Sequence, residues 1–398
     1  MLSSAPSLPP GVAPSAEAVR RARDGAIELA MVAAANGTPR RTELGIRDLQ
    51  SVAILLEHGV DGVRLRPTLA VGHARLEASL QVAPRSWLNL DVGVRPRGPD
   101  FPEVSSRIGA WRVPPPLVDE ALALIDRWLA RRGEQLPPLA STMRGLVITR
   151  ERASATMAIP ARMLRAVREL GGESPAKVDE RLLRFVYGRL LEFQVRQPKA
   201  SFAMTLRRTF GDRPADADPV AWNRAAFIAL AMHTVDTEAR RLAGADVMYG
   251  AVEEVQPPDL RVGGRADLAK HFALSAALTA SFDPRFTRAM GEWKELDDSL
   301  PGGSGFSFID LTADRAGLHL ARAAVDPATA SAVADALADT NDVALFPTAA
   351  HALSEGLAEK EFNRRYGGLT GANYTAAVQR VDRLLERLPL YAPFVEPN

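Results

Sequence analysis

Between Asp267 and Asp314 the chain gathers the side chains best suited to chemistry. Asp267-Leu268-Ala269-Lys270-His271-Phe272 sets a carboxylate and an imidazole four residues apart, on one face of a helix. Trp293-Lys294-Glu295-Leu296-Asp297-Asp298 then offers three carboxylates just before a Gly-rich break. Beyond the break, Ser307-Phe308-Ile309-Asp310-Leu311-Thr312-Ala313-Asp314 sets Asp310 and Asp314 four apart on the next helix. Two helices with inward i,i+4 pairs and a carboxylate between them can build a site of nitrogen and oxygen ligands. The expected roles are His271, Asp310, Asp314 and Asp267 as ligands of a divalent metal, zinc or manganese, with Glu295 as general base for hydrolysis. The chain has no cysteine, so any such metal must be held by imidazole and carboxylate oxygen.

Each residue also has a plainer reading. Ser307 followed three residues later by Asp310 resembles a capping box, in which Asp310 only completes a helix start. Asp267 follows Gly263-Gly264 and suits a first helical turn, where the helix dipole favours a carboxylate. A buried His–carboxylate pair that merely locks two helices would have the same sequence signature. Other motifs are missing: HExxH, GxxxxGK[ST] and GxGxxG do not occur in a suitable context. Gly303-Ser304-Gly305 reads as a turn, because no strand precedes it as a nucleophile elbow requires.

The residues Asp267, His271, Phe272, then Lys294, Glu295, Leu296, Asp298, then Phe306, Ser307, Asp310, Leu311, Ala313, Asp314, Gly317 form the pattern DxxxHF…KELxD…FSxxDLxADxxG. This pattern resembles that of YfiM-type proteobacterial cell-envelope lipoproteins and, more distantly, of VanZ-like membrane proteins. The resemblance covers about 50 residues. It implies a cell-envelope setting, periplasmic or membrane-associated, with a shared polar site, and it transfers no reaction. Two functions follow as expectations: an envelope protein with a metal or acid–base centre acting as a metal-dependent hydrolase, or a non-enzymatic envelope module that binds an apolar ligand or protein partner. A cytoplasmic location is the alternative.

The elements that must position these residues show an α+β chain, an N-terminal antiparallel sheet with covering helices followed by a mostly α-helical domain. Alternating apolar residues at Val63, Leu65, Leu69 and Val71, at Leu76, Ala78, Leu80 and Val82, and at Leu88, Leu90, Val92 and Val94 predict a three-stranded meander. Leu146 to Ile159 alternates too, and is expected to return to the same sheet. Asp48–Glu57 and Leu117–Arg131 carry apolar stripes suited to cover it. After Pro160 the pattern becomes helical, near Ala161–Leu170, Pro175–Gln197, Pro219–Ala243, Asp267–Ser281, Ser307–Ala324, Pro327–Ala338 and Asn373–Leu388. The expected organisation is a Pro-rich linker over 1–20, an α+β domain over 21–160 and a helical domain over 161–398.

The 398 residues are 46% hydrophobic and 24% charged, which fits globular domains rather than a disordered chain. Forty-nine basic against 48 acidic side chains leave a net charge of +1, no field for a nucleic-acid partner. Ala26–Ala35 is apolar apart from Glu28 but too short to span a bilayer, so no transmembrane segment is expected.

Overall fold

A computed structural model describes residues 2–131, 137–160, 163, 178–235 and 258–394. The chain divides into two compact units, Met1–Ser174 and Pro175–Asn398, with an α+β unit first and a helical unit second, as expected.

In the first unit the alternating stretch forms β3 (Val63–Ala70), β4 (His73–Ala83) and β5 (Ser86–Arg97) as a meander. The sheet runs on through β6 (Asp100–Ile108) and β7 (Trp111–Val113), which the sequence pattern did not reveal. Its apolar face carries Leu69, Ala74 and Val94 and packs on Leu146, Ile148 and Ala155. Its opposite face is polar: Arg75 grips Asp91 with two hydrogen bonds of 2.8 and 2.7 Å. Leu146 to Ile159 does not rejoin this sheet. It makes β8 (Met143–Ile148) and β9 (Arg152–Met157), which pair with β2 (Arg40–Gly45) in a separate sheet of order β2-β9-β8. The turn at Thr149 reverses the chain, and the two sheets cover one another. Helices α1 (Ala16–Ala34), α2 (Ile46–Gly59) and α3 (Pro115–Arg131) complete the unit.

Two boundaries differ from expectation. The stretch read as a linker over 1–20 is bound to the sheet: β1 (Leu2–Ser3) pairs with Leu88 and Trp87, Leu8 is buried, and Ser7 N–H donates to Asn89 Oδ1. Helix α1 begins within it. The first unit also runs past Pro160, because Met163 is buried against Ile125, Trp128, Leu139 and Ile159. The rest of the helix expected over Ala161–Leu170, residues 175–177 of that expected over Pro175–Gln197 and residues 236–243 of that expected over Pro219–Ala243 lie outside the described residues.

The helical unit contains α4 (Glu180–Arg196), α5 (Phe202–Gly211), α6 (Pro219–Thr234), α7 (Ala266–Ser281), α8 (Pro284–Asp298), α9 (Phe308–Val325), α10 (Ala330–Ala338), α11 (Asp342–Leu345), α12 (Glu359–Tyr366) and α13 (Ala372–Glu386). Their starts are chemically marked. Asp179, Asp218 and Asp283 accept hydrogen bonds from first-turn backbone N–H groups, and Pro219 and Pro284 follow the last two. Helix α9 is buried along almost its whole length and is packed by α6, α7, α8, α10 and α13. It comes so close to α7 that a Cβ at Gly317 would lie 2.2 Å from the Phe272 carbonyl oxygen, so the position requires glycine.

Asn223 on α6 is fully buried and donates through Nδ2 to the carbonyls of Ala324 and Ala330, both at 2.9 Å. It thereby satisfies a carbonyl left without an intrahelical donor at the end of α9 and adds a donor to the first carbonyl of α10. Replacing Asn223 by Ala is expected to lower unfolding free energy by about 1–3 kcal/mol, since the Ala324 carbonyl loses its donor where water is excluded. Urea unfolding followed by tryptophan fluorescence checks this.

Candidate functional site

Three helices bring the predicted residues together. Helix α7 supplies His271, α8 supplies Glu295 and Lys294, and α9 supplies Asp310 and Asp314. The stretch from Trp293 to Asp298, expected as a connection, is the end of α8. The Gly-rich break then turns the chain back: Gly302 and Gly305 have φ of 92° and 89°, and Gly305 N–H donates to the Asp298 carbonyl. Phe306 and Leu357 exchange backbone hydrogen bonds and fix the exit of the turn. As a result the start of α9 lies against the last turn of α8.

That placement settles how α9 is capped. Ser307 Oγ accepts from Asp310 N–H, as a cap residue should, but Ser307 N–H donates to Glu295 Oε2 at 2.9 Å. Glu295, from another helix, thus takes the acid's place in the capping box. The Asp310 carboxylate is left to face His271, with Oδ2 3.7 Å from Nε2. One turn further along α9, Asp314 Oδ1 lies 3.0 Å from His271 Nδ1. The imidazole is therefore flanked by both carboxylates of the α9 pair, as the i,i+4 spacing predicts.

His271, Glu295 and Asp314 each offer a ligand atom, and these atoms lie within 4.8 Å of one another. All three residues are buried, Glu295 completely. Glu295, expected as a base beside the ligands, stands among them. Asp310 lies alongside this trio rather than within it. Asp267 does not join: its side chain is 49% exposed, in the first turn of α7, and forms a two-point ion pair with Arg265. The helix-start reading of Asp267 therefore describes its position, and the ligand expectation is corrected. Helical periodicity placed it on the His271 face, but one turn nearer the helix end, where Arg265 captures it.

Two charged neighbours had no role in the sequence reading. Lys294 Nζ lies 2.6 Å from Asp298 Oδ2, an i,i+4 pair visible in the sequence, and 3.5 Å from Glu295 Oε1. Arg265, outside any motif, bridges Asp267, Glu355 and Asp310. A second buried polar group lies on the next face of α9. Arg315 and His319 both meet Asp382 of α13, and Tyr374 OH donates to Glu292 Oε1 at 2.9 Å.

Burial sets the proton affinities of the first cluster. It pushes the Glu295 carboxyl up to about 8, although the charges of Lys294 and His271 pull it down. It raises Asp310 above the usual carboxylate range, again against the pull of His271. Burial alone would lower His271, but the adjacent Asp314 carboxylate outweighs it and carries the imidazole up to about 9. Lys294 is likewise depressed by burial yet held above its ordinary value by Glu295 and Asp298. Near neutral pH the cluster thus retains protons on both His271 and Glu295.

Two buried oxygens, Glu295 Oε1 and Asp314 Oδ2, accept no hydrogen bond among the described residues, although the Lys294 ammonium lies 3.5 Å from Glu295 Oε1. Such atoms are rare in folded proteins and mark places where an ion or water belongs.

Comparison with protein-family models, with characterised proteins and with solved structures finds no match for this chain. The geometry of the site, one imidazole nitrogen with carboxylate oxygens, could hold a metal ion. Among the described residues no helix is long and apolar enough to cross a membrane.

Proposed function

We propose that the helical unit binds one divalent cation, zinc or manganese, through His271, Glu295 and Asp314, and uses it for hydrolysis. The observation that carries this reading is the pair of donorless oxygens, Glu295 Oε1 and Asp314 Oδ2, in a buried cluster of three carboxyl groups around one imidazole. Carboxyl groups at such depth keep protons, pair with charged side chains as Glu295 does with Lys294, or meet a metal cation. A bound ion with three protein ligands would supply Lewis acidity that makes water nucleophilic near neutral pH. Asp310, outside the trio and with raised proton affinity, would accept the water's proton at Oδ2. Glu295 Oε2 stays bound to Ser307 N–H, so this carboxylate is oriented by the start of α9. The envelope setting is supported by the DxxxHF…KELxD…FSxxDLxADxxG likeness alone.

A second reading is favoured by the same bond between Glu295 and Ser307. Together with the His271–Asp314 pair it ties α7, α8 and α9, as a clasp without catalytic work would.

Metal analysis of protein purified without chelator separates the two. The cation reading expects close to one equivalent of zinc or manganese per chain, lost in His271→Ala. Negligible metal in both proteins, with His271→Ala merely less stable, supports the clasp and removes the cation.

A further inference from the structure

We propose that the cation of this site is seated against Asp314 Oδ2 and Glu295 Oε1, and that Gly291 is the positioning residue that keeps that seat open. The proposal rests on the cation reading above. Gly291 lies inside α8, where glycine is disfavoured, and its φ is not positive, so the backbone does not require it. What it provides is space at one atom. A Cβ at this position would stand 2.8 Å from Asp314 Oδ2, one of the two donorless oxygens, and 3.3 Å from Asp314 Cγ.

The carboxylate cannot swing away freely, because its other oxygen meets His271 Nδ1 at 3.0 Å. A methyl group at 291 would therefore push on the ligand atom itself and displace it. Gly188 gives the contrast. It too lies inside a helix, α4, but a Cβ there would meet nothing within 4 Å. Substituting the two glycines changes helix propensity alike, and only one substitution reaches the site.

The test titrates zinc and manganese into full-length wild type, Gly291→Ala and Gly188→Ala by calorimetry, with thermal midpoints measured with and without ion. Gly291→Ala is expected to fold, to bind about 10–100-fold more weakly, as displaced ligand support usually costs, and to lose the ion-induced rise in midpoint. Gly188→Ala is expected to bind as wild type does. Equal affinity of Gly291→Ala and wild type overturns the proposal and leaves the cation reading standing. Failure of Gly291→Ala to fold also overturns it, since the glycine would then serve helix packing. A wild-type protein that takes up neither ion removes the cation reading and this proposal with it.

Discussion

Asp382→Ala is expected to lower the unfolding free energy of the helical unit by about 3–5 kcal/mol, the usual cost of stripping one partner from a buried ion pair. Asp382 on α13 is held by Arg315 through two hydrogen bonds, one of them 2.7 Å, and by His319 Nε2 at 3.3 Å. All three residues are buried. Burial raises the proton affinity of this carboxyl, yet His319 and Arg315 together hold it below the usual range, so it is ionised in the folded protein. Without it the guanidinium remains deep in the unit with its charge uncompensated, and that orphaned cation is the source of the loss. The comparison that isolates the cause is Arg315→Met with Asp382→Leu. Removing both charges is expected to recover most of the stability, because apolar pairs of similar size often replace buried ion pairs without penalty. Urea unfolding followed at Trp222 and Trp293, both buried in this unit, reads both effects. A loss below about 1 kcal/mol for Asp382→Ala would mean that the pair is hydrated and its environment not as described.

The second large effect is in pH. His271 is raised from 6.5 to about 9 and Glu295 from 4.5 to about 8. Each group binds its proton more tightly folded than unfolded, so each contributes stability that is complete below its unfolded value and is lost as pH rises through its folded value. For metal-free protein the two windows overlap, and stability is expected to fall from about pH 5 to pH 9. The thermal midpoint should drop by several degrees, on the order of 5 °C. Acid loss through Asp382, whose affinity is lowered, falls at lower pH and does not offset this. A bound cation reverses the dependence. His271 and Glu295 must shed their protons to act as ligands, so the rise in midpoint caused by zinc should grow from pH 5 to pH 8. Metal-free stability that is flat or rising over this range would show that the two protons are not retained in the folded cluster.

The fold class was legible because the two halves of the chain have different hydrophobic periods. Strands β3 to β5 declared themselves through Val63, Leu65, Leu76, Leu80, Leu88 and Leu90, whose alternation needs one covered face. Strand β6 did not, since Asp100–Ile108 carries two serines and Pro102, a residue that argues against a strand. The alternation of Leu146 to Ile159 showed that strands exist there but not which sheet they join, because partner choice is a tertiary matter. Helix α8 escaped for a physical reason as well: its sequence is strongly charged and carries Gly291 in its interior. In the site, the spacing of Asp310 and Asp314 correctly brought both to His271. The exchange at the α9 cap, with Glu295 in place of Asp310, depends on the fold of the Gly-rich turn, and no local pattern encodes it.

The near-contact of Gly317 with the Phe272 carbonyl has a consequence for the site one residue away on α7 and three on α9. His271 and Asp314 stand on two helices whose main chains touch, so the span between imidazole and carboxylate is a dimension of the backbone rather than of the side-chain packing around it. A single added carbon at Gly317 would reset it, which makes the smallest residue on α9 the calliper of the site.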